Sequence, residues 1–277
     1  MESFSLWGPV TIQETGLINT VPDILVRIVA QRRAELARGA PVAEWERIAE
    51  QRLDARRDFR AALEVQGAAV IAEIKKASPS RGVLLDDFDP ARIAAAYQRG
   101  GAAALSVLTD QSFFCGSLRD LAAAREAAAL PVLRKDFTIA NAHVLEAAAH
   151  GADAILLIAA ILTERQIRDF RETAARYRMA ALVEVHNRGE LAKAIGAGSD
   201  IIGVNNRDLT TFEVTLGTSL ELAALMPPDV LRISESGIHC AADIARLRAA
   251  GYTAFLVGEH LMKSGDPASA LRELVSA

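Results

Sequence analysis

From about residue 68 onward the chain repeats one pattern. A helical stretch closes on a glycine-containing pair, and a short run rich in Val, Ile and Leu follows. The junctions read Arg99-Gly100-Gly101-Ala102, His150-Gly151-Ala152-Asp153, Gly196-Ala197-Gly198-Ser199-Asp200 and Ala249-Ala250-Gly251-Tyr252. Glycine just past a helix is the usual stop, because it enters the left-handed conformation without a Cβ penalty. The runs that follow are nearly all apolar, as parallel strands covered on both faces require. Strands are predicted over 70–75, 104–108, 132–135, 154–158, 181–185, 201–204, 231–234 and 254–257. Helices are predicted over 90–99, 118–129, 140–150, 164–177, 189–196, 219–226, 241–250 and 267–275. Eight strand–helix units in roughly 210 residues predict an α/β fold of the (βα)8 TIM-barrel type. A doubly wound sheet would reuse the same units, but no Gly-x-Gly-x-x-Gly turn follows the first strand.

Ahead of this barrel domain (68–277) lies an N-terminal helical extension, 20–67. Ile24, Leu25, Ile28, Val29 and Leu36 recur at helical spacing, with Thr20 and Asp23 as a capping pair. A second helical stretch is predicted over 42–63, separated by Gly39-Ala40-Pro41. The extension is expected to plug the bottom of the barrel or cover its rim. Residues 1–19 have no clear period and read as a flexible N-terminal segment.

Chemistry enters through the alternation within strands. Residues i and i+2 share a face, so Glu73 and Lys75 point into the barrel if Ala72 and Ile74 meet the helices. The same logic pairs Leu133 with Lys135, Leu182 with Glu184, Gly203 with Asn205 and Ile233 with Glu235. Each polar residue stands at the C-terminal end of its strand, where barrel enzymes carry their catalytic groups. Burying an unpaired charge is expensive, and even a pair seldom repays its desolvation. Convergence of so many charges from separate strands therefore points to proton-transfer chemistry, with burial expected to lower the lysines and raise the glutamates toward neutrality. His186 shares a face with Glu184 and is read as a loop or rim histidine.

The chain has 277 residues, of which 51% are hydrophobic and 24% charged, with a formal net charge of −4. That balance carries no electrostatic footprint for nucleic acid. Two cysteines, Cys115 and Cys240, are too few for a disulfide scaffold and are read as structural in a reducing compartment. No apolar run reaches the roughly 18 residues that a membrane span needs, and the N-terminus does not read as a signal peptide. A cytoplasmic protein is expected. The five histidines fall in different units, so no metal site is expected.

Ser234-Glu235-Ser236-Gly237-Ile238 and Gly258-Glu259 follow the last two strands, where this fold usually cradles phosphate. The loop Lys76-Ala77-Ser78-Pro79-Ser80-Arg81-Gly82 is long enough for a lid, with Ser78 and Arg81 suited to an anion. Phe113, Phe114 and Phe137 place aromatics near the mouth, as an aromatic substrate would require.

Taken together, Ile71-Ala72-Glu73-Ile74-Lys75-Lys76-Ala77-Ser78-Pro79-Ser80, Leu133-Arg134-Lys135-Asp136-Phe137, Leu182-Val183-Glu184-Val185-His186, Gly203-Val204-Asn205-Asn206-Arg207-Asp208-Leu209 and Ser234-Glu235-Ser236-Gly237-Ile238 resemble the indole-3-glycerol phosphate synthases of tryptophan biosynthesis. The resemblance extends over about residues 20–276. It implies ring closure of 1-(2-carboxyphenylamino)-1-deoxyribulose 5-phosphate with loss of CO2 and water, without a cofactor.

Carried over by motif, Lys135 is implied as general acid at the substrate carbonyl. Lys75 binds the substrate carboxylate or shares the acid role in dehydration. Glu184 is the base or the stabiliser of a cationic intermediate. Glu73, Asn205, Glu235 and Ser236 orient these groups, and Arg207 positions substrate. Ser78, Gly237, Gly258 and Glu259 (through its amide) are implied in phosphate binding, and Pro79, Phe114, Phe137 and Leu156 flank the ring. The implied partner is a small phosphorylated aromatic substrate, with no nucleic acid or membrane, and a monomer or weak homo-oligomer. His260, Cys115, His143 and residues 1–19 depart from the family pattern.

Two other readings use the same residues. A Schiff-base aldolase would employ a strand-end lysine as nucleophile, and a binding barrel without turnover would only sense a phosphorylated ligand. Phosphoribosylanthranilate isomerase is also a phosphate-binding barrel, but its Cys/Asp pair has no counterpart at these strand ends.

Overall fold

Eight parallel strands close on themselves in the computed structural model, which describes residues 22–79, 82–85 and 87–276. They are β1 (Ala69–Ile74), β2 (Ala104–Leu108), β3 (Val132–Lys135), β4 (Ala154–Ile158), β5 (Ala180–Val185), β6 (Ile201–Asn205), β7 (Leu231–Glu235) and β8 (Ala254–Val257). Each neighbours the next in chain order, and β1 pairs with β8 to complete the cylinder. The predicted strands are all present, with ends shifted by no more than one residue. On β6 and β7 the shift makes Asn205 and Glu235 the last strand residues.

Side-chain alternation sorts the strands as expected. Ala69 and Ile71 face the interior with Leu133, Leu182, Ile233 and Leu256, whereas Val70, Ala72 and Ile74 pack under the helices. Preceding the barrel are α1 (Asp23–Ala37), α2 (Val42–Gln51) and α3 (Phe59–Leu63). The outer layer comprises α4 (Pro90–Gly100), the short α5 (Gln111–Phe114), α6 (Leu118–Ala127), α7 (Asn141–Ala149), α8 (Glu164–Arg176), α9 (Arg188–Gly196), α10 (Gly217–Ala223), α11 (Ala241–Ala249), the short α12 (Glu259–Lys263) and α13 (Pro267–Val275). Local chemistry sets their ends. Asp89 and Asp266 accept from first-turn amides ahead of Pro90 and Pro267, and Thr163 with Gln166 forms a capping box. Gly101 ends α4 at φ +90, the left-handed stop that the sequence predicts.

The extension serves both ends of the barrel. At the bottom, Phe59 and Leu63 of α3 are almost fully buried among interior side chains. Burial on that scale contributes about 1.5–3 kcal/mol for each side chain. At the top, Leu25 and Ile28 of α1 join the same cluster from the mouth side, against Phe137 and Leu156.

The helix predicted over 42–63 is not continuous. Between α2 and α3 the chain runs through a 3-10 turn, Leu53–Ala55, and turns extended at Arg56. Arg56 donates to the carbonyls of Ala152 and Tyr177, and Arg57 to those of Ala128 and Leu130. Arg56 also takes the carbonyl of Ala148 and Arg57 that of Arg125, so with Tyr177 the pair reaches the last turns of α6, α7 and α8, where an α-helix leaves acceptors without internal partners. The two arginines lie outside any helix and cap three helices of the barrel.

After β1, Ala77–Ser78 pairs antiparallel with Gly82–Val83, so the expected lid loop contains a small hairpin. Ser80, Arg81, Thr20 and the segment 1–19 lie outside the described residues, and so do the anion role of Arg81, the Thr20 cap and the expected flexibility.

Candidate active site

The inward-facing charges meet at the C-terminal ends of the strands. The ammonium of Lys135, last residue of β3, donates at 2.7 Å to Oε2 of Glu184 and at 2.7 Å to Oε2 of Glu235. Asn205, last residue of β6, donates to the other oxygen of Glu184 at 3.3 Å. On β1 Glu73 accepts from Lys75. Two glycines give these carboxylates room, because a Cβ at Gly203 would collide with Oε1 of Glu235 and one at Gly258 with Oε1 of Glu73.

Electrostatics at this cluster depart from the expectation for both Lys135 and Glu184. Burial opposes the charge on Lys135, but Glu184, Glu235 and Glu73 outweigh it and hold the ammonium well above its usual range. Glu184 is likewise penalised by burial, yet Lys135 and His186 keep its carboxyl well below the ordinary carboxylate range. Glu235 behaves as expected. Burial pushes it up to about 7, with Glu184 and Glu73 adding to the shift and Lys135 opposing it. One ammonium shared by two buried carboxylates leaves the second carboxylate under-compensated.

The end of β3 is itself braced. Asp136 accepts from Arg134 at 2.9 Å and from Thr109 at 2.6 Å, and Arg134 reaches Glu146 at 2.7 Å. Arg32 of α1 approaches Asp136 at 3.8 Å, so the extension contacts the residue next to Lys135. His143 is buried beside these cations, and burial together with Arg32 and Arg134 pushes it down to about 3.

Above the cluster opens a cavity of about 490 Å3. That volume suits a small organic substrate. All the residues singled out above from the family resemblance line it, from Ser78 and Pro79 on one side to Gly258 and Glu259 on the other. Phe114 and Phe137 form a tilted pair with ring centroids 6.1 Å apart. Opposite them the chain turns at Ser236 and Gly237, both left-handed (φ +69 and +78). Only the first of these conformations carries a Cβ penalty, and such strain concentrates at functional sites. The Glu259 side chain is taken up by Lys263 at 2.6 Å and lies 3.6 Å from Arg207.

Parts of the wall escape the sequence reading. Ile24, Leu25 and Ile28 of α1 line the cavity, as do His239 and His260, whose rings meet edge-on at 6.1 Å. Helical spacing reveals that α1 has an apolar face but not what that face covers. Both cysteines are free and exposed, Cys115 at the left-handed end of α5 and Cys240 just before α11. His186 is a loop residue, but it is wedged between Glu184 and Glu190 and not simply at the rim.

Buried proton donors and acceptors at the catalytic end of a TIM barrel define a barrel enzyme that works by proton transfer. The family model described as Indole-3-glycerol phosphate synthase matches residues 25–274. The chain belongs to the indole-3-glycerol phosphate synthase family. Among its relatives, the Indole-3-glycerol phosphate synthase of Desulfotalea psychrophila is 49% identical over 255 residues, covering 91% of this chain and 98% of that protein. The one from Leptothrix cholodnii is 51% identical over 261 residues, with the same coverage. A solved structure of thiamine phosphate pyrophosphorylase from Pyrococcus furiosus shares the fold at a TM-score of 0.54 and 18% identity, over 75% of this chain and 93% of that one. The family converts 1-(2-carboxyphenylamino)-1-deoxyribulose 5-phosphate to indole-3-glycerol phosphate, CO2 and water, as a carboxy-lyase of tryptophan biosynthesis. Among the described residues no helix is long and apolar enough to cross a membrane.

Proposed function

We propose that Lys135 is the general acid of the ring-closing step, with Glu184 as its partner and Lys75 holding the substrate carboxylate. The observation that carries this reading is the Lys135 ammonium, bridged by Glu184 and Glu235 at 2.7 Å each on the floor of the cavity. A lysine held cationic there delivers a proton to the substrate carbonyl oxygen as the aromatic carbon attacks it. Glu184, held ionised, stabilises the positive charge that develops on the ring and its nitrogen until CO2 leaves. Lys75, or Lys135 once it has regained a proton from solvent, then protonates the departing hydroxyl, and Glu184 accepts the proton whose loss completes the indole ring. Glu73, Asn205, Glu235 and Ser236 keep these groups aligned.

The remaining wall fits the rest of the substrate. Ser78 and the backbone at Gly237, Gly258 and Glu259 suit the phosphate, Arg207 positions it, and Pro79, Phe114, Phe137 and Leu156 flank the anthranilate ring. A Schiff-base mechanism is disfavoured by the same geometry, since an amine nucleophile must be neutral and Lys135 is clamped as a cation. Borohydride in the presence of substrate is expected to trap no adduct on Lys135 or Lys75. A cytoplasmic location and a monomeric or weakly self-associating state complete this reading. Two exposed free cysteines suit a reducing compartment.

Lys135→Ala is the direct test. Turnover, followed by the indole fluorescence of the product, is expected to fall about a hundred- to ten-thousandfold while the fold persists. Near-normal turnover would reject the acid role.

A further inference from the structure

We propose that His186, anchored by Glu190, is a positioning residue for Glu184, fixing the carboxylate in the orientation that serves Lys135. This inference rests on the role proposed for Glu184. One oxygen of Glu184 is held by Lys135 at 2.7 Å. A carboxylate held at one oxygen alone keeps rotational freedom about its last torsion. Its second oxygen, Oε1, faces Asn205 Nδ2 at 3.3 Å and His186 Nε2 at 3.4 Å. Asn205 supplies a neutral dipole there. His186 is the one of the two that can supply charge.

The imidazole is fixed from its other side. Nδ1 of His186 lies 3.0 Å from Oε2 of Glu190, and the same oxygen accepts the His186 backbone N–H at 2.9 Å. Glu190 is in turn locked into the first turn of α9. Its Oε1 accepts from Asn187 Nδ2 at 2.7 Å, and its amide donates to the Asn187 side chain at 3.0 Å. A carboxylate in a first turn is also favoured by the helix dipole. The ring thus has one anchored nitrogen, and the other is buried 3.4 Å from Oε1 of Glu184 without a well-aligned hydrogen bond.

Two carboxylates flank this ring, Glu184 from β5 and Glu190 from α9, with Asp208 of the loop after β6 contributing weakly and the Lys135 ammonium on the far oxygen of Glu184. Burial works against the charge on the ring. Contacts with Glu184 and Glu190 override it and raise the imidazole to about 10. The two carboxylates thus favour the protonated ring. It does not reach substrate, because it lies outside the main cavity, beside a small cleft formed with Asn187, Thr218 and Glu221. The Glu190–His186–Glu184–Lys135 chain brings the start of α9 into register with the acid at the end of β3.

The test compares His186→Gln, Glu190→Gln and Glu184→Gln in the full-length enzyme. His186→Gln is expected to lower kcat about ten- to a hundredfold, the scale of a misoriented catalytic group, with KM changed less than about threefold. Loss of the cation also raises the carboxylate of Glu184, so the acid limb of the kcat/KM profile moves to higher pH. Glu190→Gln is expected to move kcat and the limb in the same direction, and the double variant to be no worse than His186→Gln alone. A wild-type kcat and an unmoved acid limb in a folded His186→Gln protein overturn the inference. If that variant fails to fold, the same criteria apply to Glu190→Gln. Glu184→Gln separates the two ideas: an inactive Glu184→Gln beside a normal His186→Gln rejects only the positioning role, whereas an active Glu184→Gln rejects the reading beneath it.

Discussion

Gly203 and Glu235 share one space. The carboxylate of Glu235 on β7 lies where a Cβ on residue 203 of β6 would be, and from there it reaches Lys135 at 2.7 Å. β6 thus lacks a side chain at the inward position below Asn205, and β7 uses the room to deliver an acid to the centre of the site. Gly203→Ala is expected to displace Glu235 and loosen its hold on Lys135, lowering kcat about ten- to a hundredfold. The added methyl also meets Leu182 at 3.0 Å, so a small loss of stability accompanies it. Steady-state kinetics beside a thermal melt checks this. A well-folded variant with undiminished kcat would show that Glu235 tolerates the shift.

Glu235 also leaves a trace in stability against pH. Its folded value, about 7, lies above a glutamate's ordinary 4.5 because burial disfavours the charge. The native state therefore binds this proton more tightly than the unfolded chain does. The resulting stabilisation is complete below about 4.5 and is lost as pH rises through about 7. Wild type is expected to lose Tm relative to Glu235→Gln across that window, since the amide does not titrate. Melting curves at half-unit pH steps measure the difference. Parallel Tm profiles would mean that Glu235 titrates normally.

The barrel, its strand ends and the inward charges were legible because both signals are short-range. Period two along β1 places Glu73 and Lys75 on one face, and the cost of burying them marks that face as chemical. The glycine stops, such as Gly101, were legible for the same local reason. What was hidden depends on partners distant in sequence. Burial alone predicts a depressed Lys135, and the opposite shift comes from carboxylates on three other strands. The apolar face of α1 does not say which end of a barrel it covers. Arg56 and Arg57 interrupt a helical pattern to reach carbonyls about 70 to 120 residues away, a contact that no local rule contains. The sequence reads His186 as a loop or rim histidine, and the loop is there, but its anchor, Glu190, matters only once α9 folds back onto the strand end.

A last prediction separates stability from chemistry by going to the other end of the barrel. Asp153, which precedes β4, is fully buried and accepts from the amides of Arg57 and Val132 at 2.9 Å each and from Arg125 at 2.6 Å. It ties the break between α2 and α3, the start of β3 and the end of α6 into one knot on the face opposite the cavity. Asp153→Ala strips the half-buried Arg125 of its counter-charge and leaves two amides without acceptors. Breaking a buried pair in this way costs about 3–5 kcal/mol. Asp153→Asn keeps an acceptor for one amide and is expected to lose less. Because none of the groups hydrogen-bonded to Asp153 lines the cavity, kcat per folded molecule is expected to stay within about twofold of wild type, in line with the division between a stabilising and a catalytic face of the barrel. Urea unfolding of both variants, with kinetics measured well below their midpoints, decides the matter. A loss below about 1 kcal/mol would show that water replaces the carboxylate. A large fall in kcat would show that the two ends of the barrel are coupled.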